Sequence, residues 1–95
     1  MTIQSWASDE AEIVFKGRSP GKGFPQELVQ RLRRRLQQLD AAVALEDMKS
    51  PPGNRLHELD GDRKGQWSVS VNDQFRITFK WGDAGPEEVW FGDYH

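Results

Sequence analysis

Two histidines occur in this sequence, His57 within RLHELDGDRKG and His95 at the end of FGDYH. Histidine has an unperturbed pKa of about 6.5, so these rings are the natural proton carriers near neutral pH. Arg76, in FRITF, adds a permanent guanidinium, and Asp93 and Tyr94 stand beside His95. An acid, a base and a guanidinium over one groove suit transfer at phosphorus. One group takes a proton from the nucleophile and another gives one to the leaving oxygen, while arginine holds the phosphoryl oxygens, often through two parallel hydrogen bonds. RNA carries its own nucleophile, the 2′-hydroxyl, so such a site needs neither metal nor cofactor. Each residue alone has a plainer reading: a lone histidine is more often structural, and a strand arginine is usually a surface charge. Convergence is the argument, together with the position of Asp93, Tyr94 and His95, because a chain end frays unless it packs against something.

Other chemistries have weaker support. His57, His95 and Asp93 could form a two-histidine, one-carboxylate metal site, but no motif spacing supports it. Ser68 and Ser70 read more simply as the polar face of a strand, and no G-x-S-x-G is present. The absence of a P-loop and of G-x-G-x-x-G argues against nucleotide hydrolysis and dinucleotide binding.

The elements that must position these groups are legible in the pattern. TIQSW has β-branched and aromatic character and reads as a short first strand, after which Ser8 or Asp9 caps a short helix through EAEIVFKG. RSPGKG is a loop, and Pro25 suits the first turn of a second helix, with Glu27 near its positive end. In PQELVQRLRRRLQQLDAAVALEDM, Leu28, Leu32, Leu36, Leu39 and Val43 recur at spacings of three and four and draw one apolar stripe. Arg31, Arg33, Arg34 and Arg35 lie largely off it. Such a face is what any surface helix shows; the alternative is a surface for phosphate or an acidic partner.

KSPPGN ends the helical region, and RLHELDGDRKG reads as a short strand and a turn-rich loop. QWSVSV then alternates, Trp67, Val69 and Val71 against Ser68 and Ser70. FRITFKW sets Phe75, Ile77, Phe79 and Trp81 against Arg76, Thr78 and Lys80. Directly opposed residues of an antiparallel pair share a face. A common core therefore requires Val71 opposite Phe75, Val69 opposite Ile77 and Trp67 opposite Phe79, with Asn72, Asp73 and Gln74 as the loop. Arg76 would then project from the centre of the open face. GDAGP is a turn and EEVWFGDYH a last strand. The expected architecture is α+β in a single domain, residues 1–95: an N-terminal strand and two helices packed on one face of a small antiparallel sheet.

Composition bounds the rest. In so small a chain the four tryptophans and five phenylalanines supply much of the buried area. With no cysteine there is neither a disulfide nor a thiolate metal site, which fits a reducing cytoplasm. No apolar run suggests a signal peptide or membrane span, so a cytoplasmic protein is expected. A formal charge of −2 argues against a globally basic nucleic-acid binder and leaves room for a local patch.

The motif RLH-x-L-x-G-x-R-x-G-x-W-S-V-S-V-N, the preceding EDM-x-x-P-P-G, the helix RLRRRLQQLDAA and the terminal DYH resemble, over nearly the whole chain, the HigB branch of the RelE/ParE toxin superfamily. The resemblance implies a RelE-like toxin that enters the ribosomal A site and cleaves translated mRNA. It implies silencing by a cognate helix-turn-helix antitoxin, HigA-like, with operator DNA bound only through that complex.

Carried over by position, His57 does acid-base work or holds the scissile phosphate, and Arg76 stabilises that phosphate. His95 is the base for the 2′-hydroxyl, Asp93 orients it, and Tyr94 stacks on a base or bonds the phosphate. Arg63 and Lys64 match the family's basic loop and contact RNA backbone; Arg31, Arg34 and Arg35, off the α2 stripe, are further candidates for RNA or ribosome contact. Asp60 stands where many relatives have lysine, and an acidic residue there repels phosphate. Two other functions stay open: a protein-binding toxin without nuclease activity, like the gyrase inhibitors of the superfamily, and a degenerate module limited to antitoxin binding and operon control.

Overall fold

A computed structural model describes residues 2–93. Helix α1 (Asp9–Phe15) begins after Ser8, which sits at the N-cap position as expected. Its hydroxyl does not cap the helix; it accepts the N–H of Phe91, fastening the helix start to the last strand. Helix α2 (Gln26–Ala41) starts one residue after Pro25, which occupies the N-cap rather than the first turn. Leu28, Leu32, Leu36 and Leu39 are buried, as the stripe requires.

The stripe and the helix end sooner than the periodicity suggests. Val43 is 73% exposed, because the backbone turns extended at Ala42. The physical cause is local competition for N–H groups: the Asp47 carboxylate accepts those of Val43 and Ala44 at 2.9 and 3.1 Å. This opens a 3-10 turn, Leu45–Lys49. Met48, from that turn, is fully buried and fills the core. Asn54 is also buried, and its amide nitrogen donates to Met48 O and Gln38 Oε1, tying this segment back to α2.

The hydrogen bonds from the Val43 and Ala44 N–H groups hold the Asp47 carboxyl below its ordinary value of 3.8. A depressed carboxylate pKa contributes stability above the unfolded value, and that contribution fades as pH falls from there through the folded pKa. In Asp47→Asn the loss of stability on acidification below about pH 5 is therefore expected to be shallower than in the wild type. Thermal unfolding across that range checks this, and parallel curves would contradict it.

The sheet is antiparallel in the order β1 (His57–Glu58), β2 (Trp67–Ser70), β3 (Arg76–Gly82), β4 (Gly85–Gly92). The β2–β3 register follows the core argument: Trp67 faces Phe79, Ser68 faces Thr78, Val69 faces Ile77 and Ser70 faces Arg76. Val71 N–H donates to Phe75 O, and Asn72 Oδ1 accepts from Gln74 and Phe75, closing the three-residue loop as an Asx turn. GDAGP is shorter as a turn than expected, since Gly82 already pairs with Gly85 and leaves Asp83 and Ala84 between them.

TIQSW forms no strand of its own. It runs beside β4 with a single parallel bridge, Trp6 to Val89, made by Val89 N–H to Ser5 O and Ala7 N–H to Val89 O. Both helices cover one sheet face, where Val69, Ile77, Phe79, Val89 and Phe91 meet Ala11, Val14 and the α2 leucines. Among the described residues no helix is long and apolar enough to cross a membrane.

Candidate active site

The other sheet face carries polar side chains in rows. One row crosses all four strands as His57, Ser68, Thr78 and Trp90. The adjoining row runs Ser70, Arg76, Gly92, and Asp93 follows directly in the chain. His57 and Arg76 thus share a face, separated by two strand spacings, roughly 10 Å across and 7 Å along. That gap accommodates a phosphodiester with its sugars.

The Trp90 position depends on a β-bulge. Thr78 pairs with Trp90 but Lys80 with Glu87, so two residues of β4 oppose Phe79 alone. Glu88, the extra residue, adopts φ +52° and its carboxylate receives Lys80 Nζ at 2.8 Å. The bulge restores parity: Glu87 and Trp90 both fall on the polar face while Val89 and Phe91 fall in the core.

This face is less open than the strand pattern implies. Ser68 and Thr78 are fully buried, and Arg63, from the turn Gly61–Arg63, reaches across the face to Thr78. The Arg63 guanidinium lies 4.7 Å from the Trp90 ring centroid and donates to Thr78 Oγ1 at 3.4 Å. Trp90 in turn lies over Gly92, where a Cβ would come within 2.5 Å of the ring. Arg63 is therefore a strap across the sheet as well as a cation at its surface. Lys64 beside it is exposed.

Arg76 does not project from the centre of the face. It sits at the hairpin end, half-buried, with Nη1 donating to Asn72 O and Phe75 O. This fixes the guanidinium on the strand position paired with Gly92, next to Asp93, whose Oδ2 accepts from Gln74 Nε2 at 3.5 Å. His57 is exposed on β1, and its Nδ1 lies 3.0 Å from Arg55 O. A carbonyl only accepts, so Nδ1 carries the proton and Nε2 remains as the ring atom able to exchange one. Tyr94 and His95 lie outside the described residues, as does any metal site that includes His95. Among the described residues no group of three His, Asp or Glu side chains is placed to hold a metal ion.

The arginines of α2 are more engaged than a solvated face requires. Arg33 Nε donates to Val14 O, joining the two helices, and Arg31 pairs with Glu27 at 3.3 Å. Arg35 Nε donates to Ser70 O at 3.2 Å. Continuing the β1–β2 register would give that carbonyl the N–H of Arg55, but this N–H is spent on Pro52 O. Arg35 thus fills a vacant ladder position. Burial and the nearby Arg31 charge lower its pKa from the ordinary value. Asp60 is exposed at the start of the Gly61–Arg63 turn, two residues beyond β1.

Sequence reasoning missed Trp90, Thr78 and Gly92 as parts of the site. The strand alternation placed Thr78 on the face of Arg76 without marking it as part of the site, and nothing in EEVWFG announces the bulge that brings Trp90 there.

Two helices packed on one face of a four-strand antiparallel sheet give an α+β fold of the RelE/YoeB-like toxin type. The fold is similar to that of the YoeB/ParE toxin from Agrobacterium tumefaciens, with a TM-score of 0.60 at 17% identity over the whole of both chains. The family model for the RelE-like toxin of the type II toxin–antitoxin system HigB matches residues 5–95, and the chain belongs to that family. It is 31% identical over 93 residues to "Endoribonuclease HigB" of Proteus vulgaris, covering 98% of this chain and 99% of the relative. Against "Toxin HigB-1" of Vibrio cholerae it is 46% identical over 61 residues, a match spanning 64% of each chain.

Proposed function

We propose that this chain is a ribosome-dependent, metal-independent endoribonuclease that cuts translated mRNA in the A site and so arrests growth, held in check by a cognate helix-turn-helix antitoxin. The observation that carries this reading is the placement of His57 and Arg76 in adjoining rows of one sheet face, at the end where Asp93 leaves β4. The name of the Proteus vulgaris relative supports the same chemistry.

In this mechanism His95 takes the proton from the 2′-hydroxyl, with Asp93 orienting the ring. The 2′-oxygen bonds to phosphorus and the bond to the 5′-oxygen breaks, leaving a 2′,3′-cyclic phosphate and a 5′-hydroxyl. His57 returns a proton to the departing 5′-oxygen through Nε2. Arg76 holds the non-bridging oxygens as charge builds on them, and Tyr94 stacks on an unpaired base. Arg63 and Lys64 meet the RNA backbone.

Primer extension on an mRNA undergoing translation in vitro tests the reading. Cuts within the reading frame that require translation, and that disappear with His95→Ala, are expected. Intact mRNA with the wild-type protein would overturn the nuclease.

A further inference from the structure

On the β1 side of the Asn72–Gln74 hairpin lies a cleft of about 410 Å³ lined by Arg31, Arg34, Arg35 and Arg55, with Asp73 as its one carboxylate. Four guanidiniums around one hollow run against the net charge of −2 of the whole chain. Arg31 is only partly compensated, by an exposed pair with Glu27. Neither Arg34 nor Arg55 has a side-chain hydrogen-bond or ion-pair partner among the described residues. Arg35 is held in place through Ser70 O, so its position is set by the sheet rather than by solvent. Gathering like charges in a concave site costs free energy that an anion would recover. The planar fork of arginine, rather than a lysine point charge, suits phosphate oxygens.

The cleft adjoins the Arg76 end of the candidate active site. Ser70 and Asn72 line it, Ser70 pairs with Arg76 across the β2–β3 ladder, and Arg76 Nη1 donates to Asn72 O. Because Ser70 and Asn72 touch both, the phosphates that follow a scissile group held on Arg76 are the nearest anions to offer this cleft. We infer that the cleft of Arg31, Arg34, Arg35 and Arg55 binds the backbone phosphates of single-stranded RNA leading away from the cleavage site. Arg55 is the member that the helix pattern could not supply. The inference rests on the RNA-cleaving reading for its choice of polymer, and its test needs neither translation nor cleavage.

Binding of oligouridylate to the full chain, followed between about 50 and 200 mM salt, provides that test. Each phosphate contact to a single strand contributes roughly 0.7 to the slope of log K against log salt. The double variant Arg34→Gln, Arg55→Gln should lose roughly 1.4 from the slope and weaken binding by roughly tenfold or more at low salt. Arg34→Lys with Arg55→Lys keeps the charge and should keep most of the slope while losing affinity. Unchanged slope and affinity in the glutamine variant would overturn the inference. So would selective loss of binding to an RNA hairpin duplex or to oligoglutamate with oligouridylate unaffected, since the cleft would then serve structured RNA or an acidic protein segment. Intact mRNA in the translation assay combined with the expected slope change would leave this cleft standing and remove only the nuclease.

Discussion

Arg76→Ala is expected to slow mRNA cleavage by about 100- to 1,000-fold, the usual consequence of removing one preorganised donor from a developing oxyanion. The guanidinium is held by Asn72 O and Phe75 O at the hairpin end, so in the wild type it needs no reorganisation when charge builds on the phosphoryl oxygens. Its removal leaves the hairpin closed, because Phe75 O still accepts Val71 N–H and Asn72 Oδ1 still accepts from Phe75. The stability cost is expected to be about 1 kcal/mol. Arg76→Lys retains charge but cannot form two parallel bonds to a phosphate, and should recover only part of the rate. Single-turnover cleavage on stalled ribosomes, with thermal unfolding as control, separates the two effects. Cleavage by folded Arg76→Ala within about tenfold of wild type would remove Arg76 from the reaction.

Phe79→Ala carries the largest expected effect on stability, about 3–5 kcal/mol. Its ring is fully buried at the centre of β3, opposite Trp67 and against the helices. Domains of this kind are stable by only about 5–15 kcal/mol in total, so the variant is expected to be near unfolding. Urea titration checks this, with Val43→Ala as the comparison. Val43 is 73% exposed, and its truncation should change stability by no more than about 0.5 kcal/mol. Similar midpoints for the two variants would mean that the core does not centre on β3.

Much of the fold was legible because its rules are short-range. The period of four leucines marks α2, and strict alternation in QWSVSV and FRITFKW, with one shared core, leaves a single register for β2 and β3. The site was legible more unevenly. His57 and Arg76 could be named from residue type, and the register put Ser68, Ser70 and Thr78 on the face of Arg76. That Arg76 is held at the hairpin end depends on its bonds to Asn72 O and Phe75 O, and the cover over Thr78 on the loop that carries Arg63.

The remaining differences share a physical origin. Periodicity cannot reveal that the Asp47 carboxylate will take the N–H groups of Val43 and Ala44 and stop α2 before its stripe is finished. Nor can EEVWFG reveal a left-handed Glu88, since the bulge is stabilised by partners distant in sequence, Lys80 and Ser5. By itself, then, the sequence determined most of the elements, the central register and which side chains are candidates for the chemistry, all of which follow from local pattern and residue type. The tertiary structure alone decided that Trp90 and Arg63 pave the polar face of the sheet and that Arg55 joins the α2 arginines around one cleft. Those outcomes depend on which backbone donors and acceptors remain unpaired once the sheet has formed, and that balance is settled only when all the strands are in place.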